Sequence, residues 1–227
     1  MATWLITGAD RGIGEAMCRH LCARGEAVIA ACLGDSPALR ERGIDVVSGV
    51  DVCGDAAVAK LVSHLSGSRI DVLVNNAGFV QQAPLGRFDF AAMQKEYEVN
   101  ALGPLRVTQA LLPLLANGSK VGIVTSRVGS LGENRSGGLY GYRMSKAAAN
   151  MAGLNLARDL QARGIAVICL HPGSVRTEMT RGLTDSATVG TLVDPEVAAR
   201  GLIARLDELT LEHTGSFRHA NGESLPW

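Results

Sequence analysis

The sequence has 227 residues, 47% of them hydrophobic and 19% charged, which is enough to bury one large core, and we expect a single domain over residues 1–227. Basic and acidic residues number 22 each, and this zero net charge gives no indication of a nucleic-acid-binding surface. No apolar run is long enough to span a bilayer, and no signal peptide precedes the first apolar segment, so we expect no membrane association.

The cysteines are odd in number and irregular in spacing. Cys18 and Cys22 share a predicted helix face, but no Cys or His pair elsewhere stands at metal-ligand spacing. We therefore predict reduced, mostly buried thiols in a reducing, cytoplasmic environment, and no metal site. The cysteines are Cys18, Cys22, Cys32, Cys53 and Cys169.

Short apolar runs alternate with longer amphipathic segments along the chain. Most runs are near-continuously apolar, which is typical of strands buried on both faces of a parallel sheet. They predict strands at Trp4–Thr7, Ala27–Leu33, Ile44–Val50, Ile70–Asn76, Lys120–Ser126, Ile165–His171 and Gly215–His219. Predicted helices lie at Ile13–Arg24, Ala56–Leu65, Phe90–Leu115, Tyr142–Arg163 and Pro195–Leu209. This order predicts an α/β fold, a doubly wound parallel sheet of the Rossmann type with helices on both faces.

The first predicted strand runs into a glycine-rich loop, TGADRGIG, at Thr7–Gly14. Its glycines, Gly8, Gly12 and Gly14, have the spacing G-x-x-x-G-x-G at the start of the first predicted helix. Residues without a Cβ let the backbone approach a pyrophosphate, and the helix N-terminus offers free N–H groups and a positive dipole end. The loop therefore indicates a dinucleotide site, with an ordinary tight βα turn as the alternative.

Three further motifs follow the glycine loop in order: NNAG at Asn75–Gly78, YRMSK at Tyr142–Lys146 and HPGSVRT at His171–Thr177. The ordered set resembles the short-chain dehydrogenase/reductase family over nearly the whole chain. Within the family, longer segments resemble sniffer-type carbonyl reductases and the bacterial C-factor. These segments are Asn100–Pro113, Val124–Met151 and Gly215–Trp227.

Tyr142 and Lys146 stand at i, i+4 on a predicted helix, so their side chains lie on one face. A free tyrosine has a pKa of about 10, and we expect the nearby ammonium to lower it. The resemblance implies that Tyr142 is the general acid in carbonyl reduction and the general base in alcohol oxidation, and that Lys146 also binds the nicotinamide ribose. The alternative is a half-buried aromatic beside a solvated lysine. Tyr140 is a weaker candidate, since Met144 stands four residues later.

Two further catalytic residues are implied by the resemblance. Ser126 ends the fifth predicted strand and would donate a hydrogen bond to the substrate oxygen, with Ser130 as the second candidate and a capping serine as the alternative. Asn100 would interrupt the long fourth helix and hold a water in a proton relay with Lys146. A tolerated or capping asparagine is the alternative for Asn100.

The cofactor is predicted from the end of the second strand, where an acidic residue usually binds the adenosine ribose and selects NAD. The family pattern aligns Cys32 with that position and Leu33 with the arginine of many NADP-preferring members, so both selectors are missing. Arg11 could pair with a 2′-phosphate, whereas Asp10 and Asp35 would repel it. We favour NADP(H) as cofactor and keep NAD(H) as the alternative.

The resemblance assigns further residues to the dinucleotide. Asp51 and Val52 would contact adenine, although Asp51 could instead cap a helix, and Pro172–Gly173 could be a plain turn. Asn75, Ala77 and Gly78 would line the adenosine side. Pro172, Gly173, Val175 and Thr177 would contact the nicotinamide end. The remaining predicted cofactor-binding residues are Gly8, Asp10, Ile13, Leu33, Tyr142 and Lys146.

The segment Glu178–Pro195 is polar and rich in Gly and Thr, and we predict a mobile lid there. Leu131, Tyr140 and Met179 are candidates for apolar walls around a small aldehyde, ketone or alcohol. The family resemblance implies that the segments Glu98–Leu115 and Tyr142–Arg163 form the interface of a homodimer, with a tetramer as a second form.

Two other functions stay open. One is a C-factor-like signalling or regulatory protein that binds the dinucleotide with little turnover. The other is an acyl-carrier-linked 3-oxoacyl reductase, which would need a basic docking patch near the site. Arg135, Arg143 and Arg176 could contribute to such a patch, although Glu133 and Glu178 lie among them.

Overall fold

Seven parallel strands form the sheet of the computed structural model, which describes residues 1–65, 67–82, 84–181 and 192–227. The strands are β1 (Thr3–Thr7), β2 (Ala27–Cys32), β3 (Asp45–Ser48), β4 (Ile70–Asn75), β5 (Leu115–Val124), β6 (Ala166–His171) and β7 (Ser216–His219). Their spatial order is β3-β2-β1-β4-β5-β6-β7, so the chain starts near the middle of the sheet and extends it on both sides. The predicted doubly wound parallel sheet is confirmed.

Helices cover both faces of this sheet. They are α1 (Gly12–Ala23), α2 (Pro37–Arg40), α3 (Asp55–Leu65), α4 (Phe90–Tyr97), α5 (Gly103–Leu111), α6 (Tyr140–Gln161), α7 (Glu178–Arg181) and α8 (Pro195–Asp207). The short helices α2 and α7 were not predicted, because four residues are too few to show a helical period. Within the described ranges, no helix is long and apolar enough to cross a bilayer.

The sheet has a hydrophobic core on each face, and alternate residues of a strand pack into opposite cores. Trp4 and Ile6 of β1 pack with Met17 of α1 and Leu202 of α8, while Leu5 lies in the opposite core. That second core is closed by Leu61 of α3, Val107 and Leu111 of α5 and Leu160 of α6. Burial on both faces explains why the strands are near-continuously apolar rather than alternating.

The predicted helix Phe90–Leu115 is interrupted. A π-helical turn at Glu98–Leu102 separates α4 from α5, and Leu115 already belongs to β5. The Gly103 N–H donates to the carbonyl of Glu98, five residues earlier. Pro104 has no N–H to donate to the Asn100 carbonyl four residues earlier, so the α-helical hydrogen-bond pattern gives way here to the π-helical pattern. The prediction that Asn100 interrupts the long helix is confirmed.

Candidate active site

A cavity of about 690 Å³ lies along the carboxyl edge of the sheet, where the loops after β1 to β6 meet α4, the π turn and α6. In doubly wound sheets, ligands bind at this edge, beside the point where the strand order reverses. That point is here the β1–β4 boundary. The predicted cofactor-binding residues in the cavity wall are Gly8, Asp10, Arg11, Gly12, Ile13, Leu33, Asp51, Val52, Ala77, Gly78, Tyr142, Lys146, Pro172 and Thr177.

Asn75 lies outside the cavity wall, whereas its neighbour Asn76 lines the cavity. The buried Asn75 amide donates to the Thr108 hydroxyl at 3.1 Å, on the α5 side of the sheet. Asn76 Nδ2 donates to the carbonyls of Thr7 and Gly8, each at 3.0 Å, and so holds the glycine loop. Successive side chains at a strand end point to opposite sides, so an error of one residue changes the face.

Gly14, Gly173 and Val175 also lie outside the cavity wall. Gly14 has a structural role instead, since a Cβ there would lie 2.6 Å from Asn76 Nδ2 and closer still to the Gly8 carbonyl oxygen. Val175 is buried and bridges to Val193, while Gly173 lies against the His219 ring. These residues shape the loops around the cavity.

The start of α1 is suited to a phosphate group. Arg11, the residue before the helix, makes no side-chain hydrogen bond to the first helical N–H groups. Gly12 and Ile13 of that first turn lie in the cavity wall, next to Gly8. Uncapped N–H groups at a helix N-terminus, approached through glycines, fit the pyrophosphate of a dinucleotide.

Tyr142 and Lys146 both lie in the cavity wall, as their i, i+4 spacing on α6 predicts. The Lys146 Nζ lies 5.6 Å from the centroid of the Tyr142 ring and donates to the Val124 carbonyl at 3.0 Å. The Thr125 hydroxyl in turn donates to the Lys146 carbonyl at 3.2 Å. The carboxyl end of β5 therefore fixes the position of this turn of α6.

Burial governs the ionisation of both residues. The pKa of Tyr142 is raised to about 12, chiefly by burial, while the hydrogen bond with Ser126 acts in the opposite direction and the Glu96 carboxylate adds to the rise. Burial lowers the pKa of Lys146 to about 8. Burial is the largest cause acting on the Tyr142 pKa in this structure and raises it, so the lowering by the Lys146 ammonium stays a prediction.

Ser126 and Ser130 are distinguished by their partners. The Ser126 hydroxyl is hydrogen-bonded to the Tyr142 phenol and accepts from the Val128 N–H at 3.3 Å, although Ser126 lies just outside the cavity wall. The Ser130 hydroxyl donates to the Trp227 carbonyl at 3.1 Å and accepts from the Glu133 N–H at 3.2 Å. Ser126 is thus beside the catalytic candidate, and Ser130 is engaged in loop structure.

Asn100 is buried in the π turn and lies outside the cavity wall. Its Nδ2 donates to the Phe79 carbonyl at 2.8 Å and to the Ser145 hydroxyl at 2.9 Å, and its Oδ1 accepts from the Phe79 N–H at 2.8 Å. The side chain therefore joins the β4–α4 loop to α6. A water relay to Lys146 stays a prediction for Asn100.

Several cavity residues were not predicted, because apolar wall positions and isolated charges carry no motif. These residues are Val50, Asn76, Phe79, Val80, Lys95, Val99, Val124, Thr125 and Glu178. Of the three predicted apolar wall residues, Met179 lies in the wall, whereas Leu131 is 82% exposed and Tyr140 packs edge-on against Phe88. Residues 182–191 of the predicted lid lie outside the described residues.

Two of the three arginines considered for an acyl-carrier docking patch have partners in the part of the chain that the structure describes, and the patch itself stays a prediction. The Arg143 guanidinium donates to the carbonyls of Gly137 and Gly138 and to the Ser136 hydroxyl. Arg176 lies 3.8 Å from Asp194. The five cysteines are free thiols, and no group of three or more His, Cys, Asp or Glu within the described ranges could hold a metal ion.

Comparison with known proteins decides the family, because the model of the short chain dehydrogenase family matches residues 2–188. The chain belongs to the short-chain dehydrogenase/reductase family. This family member is 48% identical over 229 residues to the 1-hydroxy-2-glutathionyl-2-methyl-3-butene dehydrogenase of Rhodococcus sp. strain AD45, with 100% of both chains covered. It is 46% identical over 161 residues to the C-signal protein of Myxococcus xanthus, covering 70% of this chain and 93% of that protein.

Solved structures confirm the resemblance to sniffer-type carbonyl reductases. The NADPH-bound carbonyl reductase from chicken fatty liver superimposes with a TM-score of 0.87 at 27% identity, covering 100% of this chain and 99% of that one. The carbonyl reductase Sniffer of D. melanogaster gives a TM-score of 0.87 at 26% identity, with 100% of both chains covered. The dehydrogenase/reductase fold of this chain is therefore that of known NADP-binding oxidoreductases.

Proposed function

We propose that this family member is an NADP(H)-dependent oxidoreductase that interconverts a small aldehyde or ketone and its alcohol. The proposal depends on one observation: Tyr142 and Lys146 line the same cavity as Gly12 and Ile13 at the uncapped start of α1. One ligand can therefore extend from the phosphate-binding turn to a proton donor. The family membership and the NADPH-bound carbonyl reductase neighbour support this activity.

In the proposed mechanism, the bound dinucleotide supplies the hydride that the carbonyl carbon accepts. The Tyr142 phenol gives its proton to the carbonyl oxygen, and the Ser126 hydroxyl donates a hydrogen bond to that same oxygen. The Lys146 ammonium stabilises the phenolate left behind, 5.6 Å from the ring centroid, and its buried position keeps bulk water away. Alcohol oxidation runs these steps in reverse, with the phenolate as base.

We propose NADP(H) rather than NAD(H) because of the charges near the end of β2. Cys32 ends that strand, so no carboxylate stands where ribose hydroxyls are usually bound. The Asp35 carboxylate accepts hydrogen bonds from the Arg40 guanidinium at 3.0 Å and from the Ser48 hydroxyl at 2.8 Å. Arg11 lies in the cavity wall with its side chain 69% exposed. Its guanidinium lies 3.9 Å from Asp10 and 3.8 Å from Glu178, and a 2′-phosphate would compete with these carboxylates for it.

The Arg11→Ala variant is expected to bind NADPH about fivefold more weakly, because an exposed ion pair to the 2′-phosphate is worth on the order of 1 kcal/mol. Its affinity for NADH should stay within about twofold. Fluorescence titration of both reduced dinucleotides measures this, with Arg24→Ala at the opposite end of α1 as control. Equal losses for NADPH and NADH would contradict the proposed preference.

A second candidate is oxidation of an alcohol that carries a glutathionyl group, the activity for which the Rhodococcus relative is named. Lys95 favours it. This exposed lysine of α4 lies in the cavity wall with its ammonium 5.3 Å from the Phe79 ring centroid. Among the described residues it has no ion-pair partner, so it is free to bind a substrate carboxylate.

The Lys95→Met variant is expected to raise KM about twofold to fivefold for glutathionyl alcohols, because one exposed ion pair is lost. The KM for small uncharged alcohols should not change. A steady-state panel of both alcohol types, and of the matching aldehydes with NADPH, measures this. Lys60→Met on α3, outside the cavity wall, is the control. A parallel rise for uncharged substrates would exclude a role in carboxylate recognition.

We also propose a cytoplasmic homodimer, or a tetramer built from it. The free thiols of all five cysteines support a reducing compartment. Met144 and Met151 of α6 are 62% and 59% exposed, one on each side of Ala147 and Ala148, and this surface suits close packing against a second copy. Light scattering of the purified protein tests the stoichiometry.

A further inference from the structure

Arg143, the residue after Tyr142 in the YRMSK segment, has no role in the mechanism proposed above. It is half-buried on α6 and lies outside the cavity wall, so any effect on the reaction must pass through other residues. Its guanidinium is turned towards the loop between β5 and α6, which leads from Ser126 to Tyr142.

The end of this loop has a left-handed backbone over three successive residues. Gly137, Gly138 and Leu139 have φ angles of 64°, 68° and 46°. Among the residues that the structure describes, Leu139 is the only non-glycine residue with a positive φ, a conformation that a Cβ makes unfavourable. The carbonyls of such a turn need partners, because no helix or sheet pairs them. Contacts from outside the turn must therefore hold it.

Arg143 supplies these partners from a single residue. Its Nε donates to the Gly137 carbonyl at 2.9 Å and to the Gly138 carbonyl at 3.1 Å. Its backbone N–H donates to the Leu139 carbonyl at 2.8 Å, and its Nη2 donates to the Ser136 hydroxyl at 2.8 Å. All three left-handed residues therefore bind Arg143.

The same guanidinium also reaches the other end of the loop. Its Nη1 donates to the Val128 carbonyl at 3.2 Å, and the Val128 N–H donates to the Ser126 hydroxyl oxygen at 3.3 Å. The turn that contains Val128 packs closely on α6, since a Cβ at Gly129 would lie 2.7 Å from the Lys146 carbonyl carbon. Arg143 therefore connects the turn after Ser126 to the helix that carries the candidate proton donor.

The hydrogen bond from Val128 constrains the Ser126 hydroxyl. A hydroxyl has one proton to donate and two lone pairs that accept. The Val128 N–H binds a lone pair and so fixes the orientation of the oxygen, which leaves the proton for donation to a substrate oxygen. A shift of Val128 would remove this restraint and let the hydroxyl rotate away from the substrate.

The neighbouring arginine is directed elsewhere. Arg127 forms ion pairs with Glu223 at 2.6 Å and with Glu133 at 3.3 Å, so it joins the loop to the segment after β7. Arg127 therefore does not duplicate the contact of Arg143 with the Val128 carbonyl.

We propose that Arg143 is a positioning residue that holds Val128 against α6, so that Ser126 directs its hydroxyl proton at the substrate oxygen. This inference rests on the proposed function, because it takes Ser126 as the hydrogen-bond donor to the substrate. The planar guanidinium suits the task, since its donors have a fixed geometry and can bind both ends of the loop at once.

Steady-state kinetics of Arg143→Met, Ser126→Ala and the double variant test this connection. Arg143→Met should lower kcat for carbonyl reduction about tenfold to a hundredfold, because the donor to the substrate is displaced. Ser126→Ala should lower it about a hundredfold to a thousandfold, as expected for one lost oxyanion donor. In the Ser126→Ala background, Arg143→Met should change kcat by no more than about twofold, because the group that it positions is already absent.

Arg158→Met is the matched control, because Arg158 is an exposed arginine of the same helix outside the cavity wall. Its kcat should stay within about twofold of the wild type. The KM for NADPH should not change in any of these variants, since Arg143, Ser126 and Arg158 all lie outside the wall of the cofactor cavity.

Amide hydrogen exchange of the substrate-free protein gives a measurement that does not depend on activity. In Arg143→Met, the Val128 N–H should exchange about threefold to tenfold faster relative to the amides of β1, because one hydrogen bond that restrains the turn is lost. Arg158→Met should leave this ratio unchanged. Nuclear magnetic resonance resolves the individual amides.

An unchanged kcat in folded Arg143→Met, or an unchanged exchange ratio for Val128, would overturn the inference. An arginine with only a general structural role would reduce kcat by the same factor with and without the Ser126 hydroxyl, which would also overturn it. If Arg143→Met fails to fold, Arg143→Lys, which keeps the charge and the aliphatic stem but not the planar fork, provides the same measurements. Full activity in Tyr142→Phe would defeat the proposed function itself, whereas additive losses in an enzyme that depends on Tyr142 would defeat the inference alone.

Discussion

The Tyr142→Phe variant is expected to lose about two to four orders of magnitude in kcat/KM for carbonyl reduction, the usual contribution of a positioned general acid. The phenol is the proton donor in the wall of the cavity, and Ser126 is hydrogen-bonded to it. Phenylalanine keeps the ring and its packing but has no proton to donate. Dinucleotide affinity should be nearly unchanged, so the loss should appear in kcat.

Tyr140→Phe is the matched control for this measurement. Tyr140 is two residues away, contacts Phe88 edge-on and does not line the cavity. Its variant should keep activity within about twofold, as expected for a surface substitution. Full activity in Tyr142→Phe, or an equal loss in both variants, would exclude Tyr142 as the proton donor.

The Gly14→Ala variant is expected to weaken dinucleotide binding about tenfold to a hundredfold, because overpacking costs about 1–3 kcal/mol. The added methyl group would lie 2.6 Å from Asn76 Nδ2 and 3.0 Å from the Ala9 Cα. The glycine loop must therefore shift, and with it the N–H groups at the start of α1. Calorimetric titration with NADPH measures the affinity.

Gly54→Ala controls for the general effect of adding a methyl group. A Cβ at Gly54 has ordinary contacts, the nearest being the Asp51 carbonyl oxygen at 3.7 Å. This variant should bind NADPH as the wild type does. If Gly14→Ala bound the dinucleotide equally well, the glycine loop would not be the phosphate-binding turn.

The glycine loop and the Tyr142–Lys146 pair were predictable because their chemistry depends on short spacings. A loop that must admit a phosphate needs residues without Cβ at fixed positions, and two side chains on one helical face need a spacing of three or four. Both constraints can be recognised from residue type and spacing alone. The order of apolar runs predicted the sheet for the same reason, since strand burial on two faces shows in each run.

Direction and environment of side chains could not be predicted in this way. Asn75 and Asn76 are identical residues, and only the end of β4 decides which one faces the cavity. The interruption of the long helix was predictable at Asn100, but its π geometry depends on Pro104 four residues later. The pKa of Tyr142 depends on burial and on Glu96, which come from tertiary packing rather than from the YRMSK motif.

The pairing of β1 with β4 has a consequence for biosynthesis. Trp4 lies opposite Val72, so one edge of an apolar strand has no partner until nearly a third of the chain has emerged from the ribosome. Exposed strand edges invite aggregation, and such distant pairings form slowly. The nascent polypeptide is therefore most exposed to aggregation until β4 emerges and pairs with β1.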